Sequence, residues 1–125
     1  MKVSLATLKS LLLNNVVEIK FNRRRIKPGA APTRRMLCTN SLALLNSTEG
    51  RIALNYKRAI NSPKFNPNEK NLIITWDIFM QNYRCINMAA CDMIQVIPAN
   101  QQFWKYFNER LVMLSAAQKI NFMNQ

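Results

Sequence analysis

Val16-Val17-Glu18-Ile19-Lys20-Phe21-Asn22-Arg23 is the stretch that decides the fold. Val17, Ile19 and Phe21 point one way, and Glu18, Lys20 and Asn22 point the other. A period of two marks a half-buried strand, because successive side chains of an extended chain leave on opposite faces. Arg34 to Thr39 reads as a second strand with Met36 and Cys38 on one face. The residues between, Arg23 to Thr33, form a polar loop containing Lys27-Pro28-Gly29 and Pro32, residue types that reverse a chain. Val16 to Thr39 is therefore expected to be a β-hairpin turning near Lys27-Pro28-Gly29.

This hairpin is also where the charge is concentrated. No acid occurs between Glu18 and Glu49, yet seven cations fall within sixteen residues: Lys20, Arg23, Arg24, Arg25, Lys27, Arg34 and Arg35. Over all 125 residues, 18 Lys+Arg face 6 Asp+Glu, a formal net charge of +12. Such a field steers anionic partners and opposes self-association. Cations on a hairpin also serve simply to block edge pairing, but one or two lysines suffice for that. Arginine is suited to bidentate phosphate contact and to stacking on bases.

Outward from the hairpin, Ser4 to Leu13 reads as a short helix, with Leu5, Leu8 and Leu12 on one face, Ser4 as N-cap and Asn14-Asn15 as its end. Ser41 to Ala59 has a mixed period divided by Gly50. A helical turn is expected there, then a helix or strand near Arg51 to Tyr56. Asn61 to Asn71 reads as a loop punctuated by Pro63 and Pro67. Asn71 to Asp77 is the clearest strand, rich in β-branched and aromatic residues. Ile78 to Asn82 makes a tight connection; Tyr83 to Met88 and Met93 to Ile97 follow as strands, joined by a hairpin at Ala89-Ala90. After Pro98, Asn100 caps a helix with the stripe Phe103, Phe107, Leu111 and Leu114. Ser115-Ala116-Ala117-Gln118 fits a capping box for a last helix, Ile120 and Met123 inward. The expected class is mainly β with flanking helices (α+β), in a single domain of residues 1–125. Five short antiparallel strands, core about 16–97, suit a small closed barrel, which removes exposed edges. Helices at about 100–124 form its tail.

Thr33-Arg34-Arg35-Met36-Leu37-Cys38-Thr39-Asn40, Trp76-Asp77 and Tyr83-Arg84 resemble the characteristic pieces of a known family. These are the Sm-like (SH3-type) small β-barrel proteins of the second WYL family, found in tailed bacteriophages including cyanophages. The resemblance runs from roughly Val16 to Ile97 and leaves the helical ends and the Ser41 to Asn71 insertion outside a minimal barrel. It implies the barrel fold and a phage origin. It assigns no activity.

Several chemistries lack their residues. Histidine is absent, which removes His-based acid–base work and Ser-His-Asp or Cys-His pairs. Two glycines cannot build a phosphate-cradling or dinucleotide loop. The acids are scattered singly, without the close pair a two-metal nuclease needs, so no enzyme, no metal site and no cofactor is expected. Cys38, Cys85 and Cys91 read as buried free thiols of a reducing compartment; a Cys85–Cys91 disulfide is the alternative. No signal peptide or membrane span is expected, since Lys9 interrupts the first apolar run and no stretch nears ~20 apolar residues.

Asp77 and Arg84 flank a tight turn. They are expected to form a salt bridge that fixes it; the alternative aims Arg84 at phosphate. Trp76 and Trp104 are expected in the core, with Tyr56, Phe65 and Tyr83 more exposed and able to stack bases. The expected function is a non-enzymatic basic module that contacts nucleic-acid phosphates, of DNA or RNA, through Lys20, Arg23, Arg24, Arg25, Lys27, Arg34, Arg35 and Arg84. The alternatives are a phage protein that modulates an acidic host protein, acting in the host cytoplasm, and a virion component. A homo-oligomer is a further expected partner state; a membrane is not.

Overall fold

Ser4 opens helix α1 (Leu5–Asn14), its hydroxyl accepting the Thr7 N–H at 3.1 Å. This satisfies one of the first-turn donors that a helix cannot satisfy itself. Leu8 and Leu12, four residues apart and so on one face, are fully buried. The computed structural model, in which this is seen, describes residues 2–22, 28, 32–57, 71–88 and 91–124. Most of the first hairpin turn, the loop at 61–70, Phe65 and the expected hairpin turn at Ala89-Ala90 lie outside the described residues.

No linker separates α1 from β1 (Asn15–Asn22). Asn15 is already extended (φ −140°, ψ 158°), and its side-chain amide donates to the Leu11 carbonyl at 2.8 Å. The carbonyls of Leu12 and Asn14 accept the N–H groups of Asn40 and Ala99 at 3.0 and 3.1 Å. The end of α1 is thus tied to the residues that leave β2 (Thr33–Thr39) and β5 (Cys91–Pro98).

Those two strands flank β1. Antiparallel pairing runs from Val16↔Thr39 to Asn22↔Thr33 on one side and from Asn15↔Pro98 to Phe21↔Cys91 on the other. The β1–β5 register shifts between Glu18 and Ile19, an irregularity that bends and twists the strand. β3 (Leu72–Asp77) pairs with β2 at Cys38↔Asp77 and Thr39↔Trp76 alone, and β4 (Asn82–Asn87) pairs along the length of β3. The order is β4-β3-β2-β1-β5. The expected α+β class holds, as a five-stranded antiparallel sheet with helices. The expected closure does not: among the described residues β4 and β5 do not pair, and the sheet is open. Helices instead pack on both faces of β1 and β2, so the burial of these two strands does not depend on closure.

That coverage shows in the core. One cluster joins Leu8 and Leu12 to Val17, Ile19, Met36 and Cys38. The other joins Val16 and Leu37 to Leu44, Leu45, Trp76 and Phe103. Adjacent residues of β1 and β2 enter opposite clusters, so both faces of these strands are inside. Glu18, expected on a solvated face, is therefore buried at 1% exposure.

In the described part of the insertion after β2, two short helices form. Ser41 and Ser47 cap α2 (Leu42–Leu45) and α3 (Thr48–Ala53), accepting the N–H groups of Leu44 and Gly50. Gly50 is required where α3 meets α2: a Cβ there would lie 2.0 Å from the Leu44 carbonyl oxygen. Beyond the sheet, Asn100 caps α4 (Gln101–Tyr106), which widens into a π-helical turn over Phe107–Leu111. The capping box of Ser115 and Gln118 opens α5 (Ala116–Met123) as expected. Met123 is buried, but Ile120, expected inward, is 54% exposed. α5 instead seats Phe122 on Phe79, ring centroids 5.1 Å apart. Among the described residues no helix is long and apolar enough to cross a membrane.

Candidate nucleic-acid interface

The hairpin strands set the positions of its cations. Cross-strand register places Lys20 beside Arg35 and Phe21 beside Arg34. Alternation then sends Arg34 to the face of Met36 and Cys38, and Arg35 to the face of Leu37 and Glu18.

Arg34 turns inward. Its Nη2 donates to Oδ2 of the fully buried Asp77 and lies 3.4 Å from the Met123 sulfur, leaving the side chain 12% exposed. Asp77 Oδ1 meanwhile accepts the N–H groups of Phe79 and Met80 at 3.0 and 3.1 Å, closing the β3–β4 turn. Arg84 Nε stands 3.9 Å from the same Oδ2, with its side chain 41% exposed. The expected Asp77–Arg84 bridge is present as this long contact. The closer partner, Arg34, was not foreseen.

Arg35 also finds a carboxylate. Its Nη2 donates to Glu18 Oε2 at 2.8 Å, and its guanidinium sits 4.7 Å from the Phe122 ring centroid. Glu18 is felt further: burial pushes the Tyr106 phenol above its ordinary pKa, and the Glu18 carboxylate adds to the rise. A strand-pair diagonal could have disclosed the Glu18–Arg35 contact, because Glu18 faces Leu37 and Arg35 lies two residues away on the same face.

Of the eight expected contact residues, three are thus drawn together onto internal carboxylates: Arg34, Arg35 and Arg84. Lys20 is half-buried, opposite Asp92 on its other side. Arg23, Arg24, Arg25 and Lys27 lie outside the described residues.

The aromatic expectations divide. Trp76 is buried as expected, Trp104 partly so. Tyr56, expected outside, is 8% exposed because its ring meets Trp76 and Tyr83 edge-on at 5.0 and 6.2 Å. The Tyr56 and Tyr83 hydroxyls share a 2.6 Å hydrogen bond, and burial, followed by that bond, raises the Tyr83 pKa. Cys38 and Cys91 are buried free thiols, whereas Cys85, on edge strand β4, is exposed. Among the described residues no group of His, Cys, Asp or Glu is arranged to hold a metal. Comparison of the chain with protein-family models, curated proteins and solved structures gives no match.

Proposed function

We propose that this protein is a non-enzymatic basic binding module that contacts nucleic-acid phosphates through the tip of the β1–β2 hairpin. The observation that carries this is where the charge is left over. Glu18 and Asp77 are neutralised by Arg35 and Arg34 of β2. Each pairing removes one charge of each sign, so the whole +12 excess falls on the rest of the chain. These two pairs have a holding role. They fix β2 to β1 and β3, and the contacts to phosphate fall to Lys20, Arg23, Arg24, Arg25 and Lys27.

The finer family assignment belongs to the same proposal: a relative of the Sm-like proteins of phage origin, its sheet open among the described residues, working in the host cytoplasm. An N-terminal helix followed by five antiparallel strands, with β5 returning beside β1 and an irregular register there, supports it.

A gel-shift series across salt tests the function. Five phosphate contacts on duplex DNA would make log K fall against log salt with a slope of roughly −4 to −5. Replacing Arg23, Arg24 and Arg25 together with Gln should flatten that slope by roughly 3 and weaken all sequences alike. Absence of binding at low salt, or binding indifferent to salt, rejects the proposal. A pull-down from nuclease-treated host lysate then separates the acidic-protein alternative.

A further inference from the structure

Arg84 differs from the other two arginines that meet internal carboxylates. It stands on β4, an end strand of the sheet, opposite the buried Thr75 of β3. Its Nε is shut off from solvent without a hydrogen-bond partner, although the side chain as a whole is 41% exposed. Nε is also its closest nitrogen to Asp77, at 3.9 Å, too far for a hydrogen bond. The two Nη groups therefore point away from the carboxylate, and among the described residues they reach solvent without a partner.

Asp77 has no acceptor to spare for them. Its Oδ1 accepts the N–H groups of Phe79 and Met80, and its Oδ2 accepts Nη2 of Arg34. Two guanidiniums thus converge on one carboxylate, and one positive charge is left over. At Glu18 the count is even, with one carboxylate against Arg35. Arg34 is only 12% exposed and has Asp77 as its counter-charge, so the surplus falls on the outward fork of Arg84. Attraction to Asp77 on the Nε side holds the guanidinium from behind. A planar fork fixed in this way suits an oxyanion gripped through two oxygens.

We propose that Arg84 is a phosphate contact separate from the hairpin tip, its Nη groups donating to two phosphate oxygens. The need for an oxyanion rests on the local charge count. The choice of phosphate over a carboxylate rests on the phosphate-binding reading of the basic hairpin. The phosphate belongs either to a nucleic-acid backbone or to a small phosphorylated molecule.

NMR titration of the full chain tests the site, with the Arg84 Nε–H signal assigned by its loss in Arg84→Lys. Inorganic phosphate, acetate and chloride are added at matched ionic strength. Phosphate should move the signal along a saturable curve with a dissociation constant below about 10 mM, acetate about tenfold more weakly, and chloride not at all. A signal that phosphate moves no more than chloride, or that acetate saturates first, overturns the proposal. A gel-shift series across salt then identifies the source of the phosphate. If Arg84→Gln flattens the salt slope on duplex DNA by about 1, the contact is to the backbone. If it binds DNA as wild type does, the ligand is a small phosphorylated molecule. Should the wild-type protein bind no DNA, the proposed function fails while the titration still decides the Arg84 site.

Discussion

The Arg34 guanidinium on β2 donates to Oδ2 of Asp77 at the end of β3, across 43 positions of sequence. β2 and β3 pair only at Cys38↔Asp77 and Thr39↔Trp76. Arg34 therefore reaches Asp77 from a part of β2 that has already left β3. One ion pair spans the interval that ladder hydrogen bonds do not.

Asp77→Asn should accordingly be costly, because it keeps the side chain's shape and leaves Arg34 in a poorly hydrated place without its counter-charge. Breaking a buried pair from one side costs about 3–5 kcal/mol. Arg84→Gln, which removes a longer and more exposed contact, should cost under ~1 kcal/mol. Urea midpoints at pH 7 compare the two. Equal losses would mean that Arg34 is not the principal partner.

Phe122→Ala should release α5 while sparing the sheet. The eight-residue helix is marginal alone, and Phe122 is its contact with both Phe79 and Arg35. Amide exchange over Ala116–Met123 should accelerate at least tenfold, with β1 and β5 unchanged. Uniform acceleration would instead show that α5 opens only with the whole molecule.

Gly50→Ala should destabilise by more than the helix-propensity gain of ~1 kcal/mol that alanine brings. The added methyl would need to displace the Leu44 carbonyl. A melting temperature equal to or above wild type would contradict the close approach of α2 and α3.

The thiols should separate by kinetics and by pH. Cys85 is exposed and should react first with an aromatic disulfide reagent, with Cys38 and Cys91 following only on unfolding. Burial, with a smaller contribution from Asp92, pushes Cys91 up from 9.0 to about 11; burial raises Cys38 as well. Between these values the unfolded chain gives up a proton that the folded chain keeps. The contribution of Cys91 to stability is thus full below about pH 9 and is lost as pH rises toward 11. Cys91→Ala should flatten the fall in urea midpoint from pH 8.5 to 10.5. An unchanged slope would remove Cys91 as a contributor.

The strands and caps were legible in the sequence where a local cause exists. The alternation of Val16 to Arg23, the caps at Ser4 and Asn100 and the Ser115 box each act within a few residues. Glu18 was misplaced because alternation reports two faces and not whether a second layer covers the polar one. That cover comes from the helical stretch after Pro98, far off in sequence. The same blindness hid Arg34. Its composition and neighbours read as surface cation, and only the distant Asp77 turns it inward. Closure of the sheet was inferred from strand count, whereas whether the end strands β4 and β5 meet is a tertiary property, and among the described residues they do not. Tyr56 was placed outside because its partners, Trp76 and Tyr83, arrive from other strands.

The seam between α1 and β1 has a mechanical consequence. Because the carbonyls of Leu12 and Asn14 hold the chain where it departs from β2 and β5, the leading helix acts as a rivet through three segments. Shortening the chain by its first fourteen residues would orphan the Asn40 and Ala99 amides together, loosening two distant exits in one stroke. A tag fused ahead of Lys2 leaves the rivet intact, whereas permuted termini cut at Asn14 would extract it.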